Sequence, residues 1–409
     1  MHSVSVVGLG YVGLPLALAF EAVGLRVWGI DHDLEKVQML NRKKSYLTTV
    51  HDNRLLFASG FHATTKKAVI AESAAVIVCV PTPIDENNEP NLSYLKDTCQ
   101  QIAEHLNGQL VVIESTSYPG TTEEIVKPIL DSSGKHYSLA YSPEREDPGN
   151  PHYNVFNTPK IVGADDKLSL DQAIELYEKV CKTVVPVSSC KVAEMAKCLE
   201  NVYRMVNISL VNELKVFCDC EGIDIWEVIE AAKSKPFGFQ AFYPGPGTGG
   251  HCLLPDSMYL AARAKQIGAK VNFIELAGQV NKSMTWFVFK KARQALKEVL
   301  DKDLKDSKVL VIGLAYKPNI NDTRESPAFP LIKELKFFGA DVCYHDPFVP
   351  VFPKTRNYEF DLASIDICED HGIDCAILVT DHDNLNYLEI SKFPVIVDTR
   401  NRIPAAFKA

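Results

Sequence analysis

The chain opens on a buried run, a glycine turn and a second apolar stretch. Ser3-Val-Ser-Val-Val-Gly-Leu-Gly-Tyr-Val-Gly-Leu-Pro-Leu-Ala-Leu-Ala-Phe20 reads as strand, turn and helix, and Arg26-Val-Trp-Gly-Ile-Asp31 as a second strand ending in an acid. Strand-like runs recur at 74–80, 110–114 and 138–141 with helical segments between them, the mark of a parallel sheet. From Lys191 to Glu221 there is neither proline nor glycine, which predicts one long helix. Met195, Ala196, Leu199, Val202, Val206, Leu210 and Val211 make it apolar over most of its girth, so it is expected to be largely buried. Glu194, Lys197, Asn201 and Arg204 form one polar stripe along it. Further helices are expected at 223–232, about 257–267 and 273–300, the last with mixed faces suited to a partner subunit. Beyond the charged linker 301–306, strands at 308–312, 341–345, 374–379 and 395–397 begin a second doubly wound unit. The expected fold is α/β: two doubly wound Rossmann-like domains (1–190 and 301–409) joined by a central helical domain (191–300).

Bulk properties narrow the class. The chain has 409 residues, too many for one ordinary core, and a hydrophobic fraction of 46% rules out a mostly disordered chain. No apolar run reaches the roughly 20 residues of a membrane span, and the start lacks the basic region of a signal peptide. A soluble cytoplasmic protein is therefore expected, with no membrane partner. Eleven cysteines in such a chain are read as thiols, and no His/Cys set has zinc-ligand spacing, so no metal is expected. The net charge of −9, without a lysine-rich stripe, argues against nucleic acid as partner.

Three places carry chemistry. Gly8, Gly10 and Gly13 form Gly-x-Gly-x-x-Gly in a strand-turn-helix context, and Asp31 follows 18 residues after Gly13. That spacing suits pyrophosphate on the helix N-terminus and a carboxylate on the ribose hydroxyls. Asp31 would repel a 2′-phosphate, which favours NAD over NADP. Thr82, Thr116 and Glu144 follow three of the predicted strands and should gather at the crevice where open α/β sheets bind ligands. The alternatives are helix capping for Thr121 and Thr122, a surface ion pair for Glu144, and an internal Glu194–Lys197 pair on the long helix. The third place is Tyr243-Pro-Gly-Pro-Gly-Thr-Gly-Gly-His-Cys-Leu-Leu-Pro-Asp256, too rich in glycine and proline for regular structure. It presents Cys252 beside His251, with Asp256 four residues on, the arrangement nucleophilic catalysis asks for. Its alternative is a connector holding a buried thiol. In the second doubly wound unit the first strand carries one glycine instead of three. There Lys317 and Arg324 offer charge to phosphates, or else pair with Asp322 and Glu325.

Six motifs in order give the chain a resemblance to the UDP-glucose/GDP-mannose dehydrogenase family over nearly its whole length. They are Gly8-Leu-Gly-Tyr-Val-Gly13, Ser115-Thr-Ser-Tyr-Pro-Gly-Thr-Thr122, Ser142-Pro-Glu-Arg145, Glu194-Met-Ala-Lys-Cys-Leu-Glu-Asn201, Gly245-Pro-Gly-Thr-Gly-Gly-His-Cys252 and Lys317-Pro-Asn-Ile-Asn-Asp-Thr-Arg-Glu-Ser326. Gly-Gly-His-Cys, and Lys235-Pro-Phe-Gly-Phe-Gln-Ala-Phe-Tyr-Pro244 before it, resemble the branch that acts on UDP-N-acetylhexosamines, most closely UDP-N-acetylglucosamine 6-dehydrogenases.

The resemblance implies Cys252 as nucleophile, Lys197, Asn201 and Asp256 as its polar support, Glu144 as acid/base and Thr116 as a positioner of water. It implies NAD contacts at Gly8, Gly10, Tyr11, Val12, Gly13, Asp31, Thr82, Thr116 and Arg324. It implies UDP-sugar contacts at Glu144, Arg145, Lys197, Asn201, Phe242, Tyr243, Gly249 and Lys317. A homodimer or higher homo-oligomer through the central helices is expected. After Cys252 the chain reads Leu253-Leu-Pro-Asp-Ser257 where the family usually has Ile-Pro-Val-Asp-Pro; Asp256 keeps its place. The implied reaction is a four-electron oxidation of the sugar C6 alcohol to the carboxylate through a thiohemiacetal and a thioester. Rival readings are UDP-glucose or UDP-N-acetylmannosamine as substrate, a two-electron dehydrogenase without the thioester, and a non-catalytic nucleotide-sugar sensor.

Overall fold

Unbroken aliphatic runs are buried on both faces only within a sheet that helices cover. The computed structural model describes residues 1–409 except 48, 86–88, 148, 149, 151, 251, 252, 356, 357, 370 and 405, and except the side chains of 253–256. The first sheet takes β1 (Ser3–Val7), β2 (Arg26–Ile30), β3 (Phe61–Thr64), β4 (Ala75–Val78), β5 (Leu110–Ile113), β6 (Ser138–Tyr141), β7 (Lys160–Ala164) and β8 (Val184–Val187) in the order β3-β2-β1-β4-β5-β6-β7-β8. All its pairings are parallel except β6 with β7. β1, β4, β5 and β6 are buried along their whole length. The first six strands have the dinucleotide-binding order, which reverses between β1 and β4 and opens a crevice at their carboxyl ends.

The second sheet takes β9 (Lys308–Ile312), β10 (Asp341–His345), β11 (Cys375–Leu378), β12 (Val395–Asp398) and β13 (Phe407–Lys408) in the order β10-β9-β11-β12-β13, all parallel. This is the other common doubly wound order, with its reversal between β9 and β11. The helices that matter below are α1 (Gly13–Ala22), α2 (Cys190–Glu221), α3 (Leu253–Gln266), α4 (Asn272–Leu300) and α5 (Ala328–Phe337). Two units result: residues 1–200 with 258–270, and residues 201–257 with 271–409. The first is built on the eight-stranded sheet. In the second, α4 and α5 lay Met284, Val288, Ala292, Phe329 and Ile332 against Val309, Val311 and Ile377 of the five-stranded sheet. Among the described residues no helix is long and apolar enough to cross a membrane, and the cysteines are free thiols.

The long helix departs from expectation in one respect. It spans 32 residues as its composition requires, but Val192, Met195, Leu199, Tyr203, Leu210, Leu214 and Phe217 are exposed. They fall three, four or seven residues apart, so they share one face of the helix as an apolar stripe. Arg204 is also exposed, so the polar stripe is buried only from Glu194 to Asn201. Strands β3, β7, β8 and β13 were not expected from the sequence. β8 lies at the sheet edge and has no buried position, and Pro186 within its short Val-Val-Pro-Val run argues against a strand in the sequence.

Candidate active site

The turn after β1 is shaped by close approach. Gly8 has φ +92°, and a Cβ there would stand 2.7 Å from the Cys79 carbonyl oxygen. A Cβ at Gly13 would lie 1.9 Å from the Gly8 carbonyl, whereas at Gly10 nothing comes within 4 Å. Packing therefore demands the outer glycines, and Gly10 leaves the backbone open to a pyrophosphate. Tyr11 and Val12 complete the turn, and α1 begins with no acid in its first turn and no side-chain cap, so none of its own side chains neutralises its positive end. Asp31, buried directly after β2, accepts hydrogen bonds from Leu9 N (2.9 Å) and Asp33 N (3.0 Å), which fixes its carboxylate beside the turn. This cradle fits NAD. Tyr46, which no sequence pattern singles out, donates its hydroxyl to the Leu9 carbonyl; burial, then the charges of Asp31 and Asp33, push its pKa up.

Thr82, Thr116 and Glu144 follow the neighbouring strands β4, β5 and β6 at the carboxyl edge. Thr82 is buried and its carbonyl accepts from Tyr259 (3.0 Å). The loop after β5 is clamped to α2 by Glu194, which is fully buried and accepts from Ser117 Oγ (3.3 Å), Gly120 N (2.5 Å), Thr122 N (2.8 Å) and Thr122 Oγ1 (2.7 Å). Glu194 is thus held by this loop and not by Lys197. Thr121 and Thr122 are fully buried and bond within the protein, Thr121 to the Tyr118 carbonyl (2.7 Å), so both serve the loop and neither caps a helix. One turn further along α2, buried Lys197 donates its ammonium to the Glu144 carbonyl oxygen. Asn201, four residues on, is also buried.

Glu144 is not a surface ion pair. Its Oε1 accepts from Arg145 N (2.6 Å) and Glu146 N, and its Oε2 lies 3.6 Å from the buried ammonium of Lys160. Lys160 in turn bonds Glu114 (2.8 Å), whose other oxygen accepts from Tyr177. Glu146 beside it is pushed up to about 7, by burial first and by the Glu144 charge second. Arg145 is engaged with Glu200 (2.7 Å) and the Pro159 carbonyl.

In the second unit the glycine loop is pressed onto the loop after β9. Gly250 N donates to the Arg324 carbonyl (3.0 Å). A Cβ at Gly249 would stand 2.6 Å from Tyr316 Cβ, and one at Gly250 would stand 2.8 Å from its ring. Gly245 N donates to Asn212 (2.9 Å), which bonds Asn281 (3.0 Å), so a buried amide chain anchors the start of the loop. Phe242 packs edge-on against Tyr203, and Tyr243 stacks on Trp226 and bonds Glu230. Cys252, His251 and the side chain of Asp256 lie outside the described residues.

The switch point of the second sheet is closed. Asp346, in the place Asp31 holds in the first, is fully enclosed by Leu314 N (2.6 Å), Ala315 N (2.9 Å), Phe348 N (2.8 Å), Val349 N (3.1 Å) and His382 (3.2 Å). A Cβ at Gly313 would meet Thr380 at 2.5 Å. That domain cannot grip a dinucleotide as the first does. Arg324 pairs with Asp322 (2.6 Å), as one alternative foresaw, yet remains 45% exposed. It lines a cleft of about 670 Å³ together with Thr248, Lys282, Trp286 and Tyr358. Lys317 is half-buried in the same β9–α5 loop, outside that cleft. Among the described residues no cluster of His, Cys, Asp or Glu could hold a metal ion.

Comparison with known proteins gives matches along the chain. Models of the UDP-glucose/GDP-mannose dehydrogenase family match residues 2–181 (NAD binding domain), 191–283 (central domain) and 310–405 (UDP binding domain). A UDP-N-acetyl-D-mannosamine dehydrogenase of Methanocaldococcus jannaschii is 33% identical over 97% of this chain and 92% of its own. Among solved structures, a UDP-D-ManNAc dehydrogenase from Pyrococcus horikoshii superposes with TM-score 0.86 at 29% identity, over 98% of this chain and 95% of that one. A UDP-glucose dehydrogenase from Pyrobaculum islandicum gives TM-score 0.84 at 25% identity, over 97% and 94%.

Proposed function

This chain belongs to the UDP-glucose/GDP-mannose dehydrogenase family, and on that premise we propose that it oxidises the C6 alcohol of a UDP-N-acetylhexosamine to the uronate through a thioester on Cys252. It is an NAD-dependent UDP-sugar dehydrogenase, an oxidoreductase. The observation that carries the mechanistic reading is the Lys197 ammonium on the Glu144 carbonyl, which joins two groups whose sequence positions already pointed to catalysis. A lysine buried at that point needs a partner or a task, and an oxyanion at the reacting carbon is such a task.

NAD bound at the Gly8–Gly13 turn supplies the hydride acceptor for both oxidations. The chain's own groups do the rest. Cys252 adds to the C6 aldehyde as a thiohemiacetal, which gives that carbon a second hydride to lose and leaves a thioester. Lys197 steadies the oxyanion and Asn201 adds a hydrogen bond. Thr116 orients the hydrolytic water, Glu144 takes its proton, and the Cys252 thiolate leaves. Asp256 aligns the thiol. Lys317, Arg145, Phe242, Tyr243 and Gly249 belong to the UDP-sugar side, and Thr82 and Arg324 to the NAD side.

The stretch 235–244 supports UDP-N-acetylglucosamine as the sugar nucleotide. A second reading, UDP-N-acetylmannosamine, is favoured by the names of the relatives above. NADH formation with UDP-N-acetylglucosamine, UDP-N-acetylmannosamine and UDP-glucose in parallel decides between them. The highest kcat/KM should fall on UDP-N-acetylglucosamine; the highest value on UDP-glucose overturns the N-acetylhexosamine reading. The composition supports a cytoplasmic enzyme.

A further inference from the structure

Beneath Glu144 lies a buried charge array that the mechanism above does not use. Lys160 leads β7, the strand that runs antiparallel to β6, and its side chain is 6% exposed. Its ammonium lies beside Glu114 Oε2 at 2.8 Å, Glu144 Oε2 at 3.6 Å, and the Tyr177 ring with its centroid at 5.3 Å. Glu114, directly after β5, and Tyr177, at the end of the helix 167–177 that follows β7, are both fully buried. The Tyr177 hydroxyl donates to Glu114 Oε1. The two contacts of Lys160 differ in kind. That to Glu114 is a hydrogen-bonded ion pair, and that to Glu144 is an ion pair too long for a hydrogen bond.

We propose that Lys160 is a positioning residue for Glu144: anchored by Glu114 and Tyr177, it fixes the carboxylate so that Oε2 is the oxygen that works on the substrate. Oε1 is already taken by two backbone N–H groups, those of Arg145 and Glu146. Oε2 has a fixed positive charge nearby that attracts it without occupying its lone pairs. The inference rests on the role of Glu144 in the reading above.

The surrounding charges explain why a cation is needed. Glu114, Glu144 and Glu146 crowd this region, with Cys79 and Cys181 also against it; the cations near it include Lys160, Lys197 on the Glu144 carbonyl and, at Glu146, Arg54. Burial alone would lower the Lys160 pKa; the Glu114 and Glu144 charges outweigh that and hold it above its ordinary value, so Lys160 stays an ammonium. Without it, Glu144 would share a poorly solvated space with two other carboxylates. It would then take up a proton or turn away, and either change removes the base.

Three variants test this. Lys160→Arg keeps the charge and should keep kcat within about 3-fold of wild type. Lys160→Met strands Glu114 as a buried charge and should lose stability for that reason alone. The double variant Glu114→Gln/Lys160→Met removes both charges, so it should fold with a Tm near wild type and still bind NAD in a fluorescence titration. Its kcat should nevertheless fall about 10²-fold, the size of a lost general base, with the KM of UDP-sugar and of NAD each within about 3-fold. A folded double variant with wild-type kcat overturns the role of Lys160, as does a loss confined to KM. Wild-type enzyme in the same assay separates the two levels. If wild type oxidises its UDP-sugar and the variants match it, only this inference falls. If wild type oxidises none, the reading of the site falls and takes this inference with it.

Discussion

Glu146 shows how the charge crowding at β6 becomes a solution property. Its pKa in the folded protein is about 7 against an ordinary 4.5, raised by burial and by Glu144. Between those two values the folded state binds more protons than the unfolded one, so stability falls as pH rises through that window. The penalty above pH 7 is roughly 1–3 kcal/mol. Glu146→Gln removes it. Melting curves from pH 5 to pH 8 should show the variant gaining on wild type by about 2–4 °C per kcal/mol recovered. Parallel curves across that range would mean Glu146 is solvated like any surface acid. Of the candidate site residues, Asp31, Glu144 and Lys197 were legible in the sequence because strand ends and helix periodicity mark their places. Lys160 and Tyr46 were not. A lysine at the head of a strand and a tyrosine in a loop carry no local sign that one will be buried beside Glu144 and the other bonded to the Leu9 carbonyl.

At the scale of elements, the periodic signal gave type and extent far better than burial. α2 was legible almost to its ends, and β6 and β10 to the residue. The sequence could not say which apolar face of α2 enters the protein's own core, since an apolar face reserved for a partner has the same composition. The stripe from Val192 to Phe217 is exposed, and we propose that a second copy of this chain covers it. Light scattering after size exclusion should give a mass of at least two chains, and Leu199→Asp/Leu210→Asp should give one. A wild-type monomer at micromolar concentration, or a double variant that keeps the larger mass, would refute this. β8 escaped notice for another reason: its four-residue apolar run is interrupted by Pro186, which marks a turn or loop in sequence and is tolerated only because the strand lies at the edge.

Taken whole, the molecule repeats one architecture with opposite treatment of its acid. In the first sheet Asp31 closes β2 beside an open glycine turn. In the second, Asp346 closes β10 but is consumed by four backbone amides and His382, and Gly313 packs on Thr380. The second domain's missing glycines were visible in the sequence; the enclosure of Asp346 was not, because it depends on His382 arriving from after a different strand. The claim on which the account turns is the thioester at Cys252, and the most direct measurement is the NADH formed per sugar nucleotide consumed by wild type and Cys252→Ser. The account predicts two NADH and one uronate for wild type. For a folded, NAD-binding Cys252→Ser it predicts a loss of uronate formation by several orders of magnitude, with the C6 aldehyde or a protein adduct as the residual product. One NADH per sugar in wild type, or uronate formed by Cys252→Ser at near-normal rates, would contradict it.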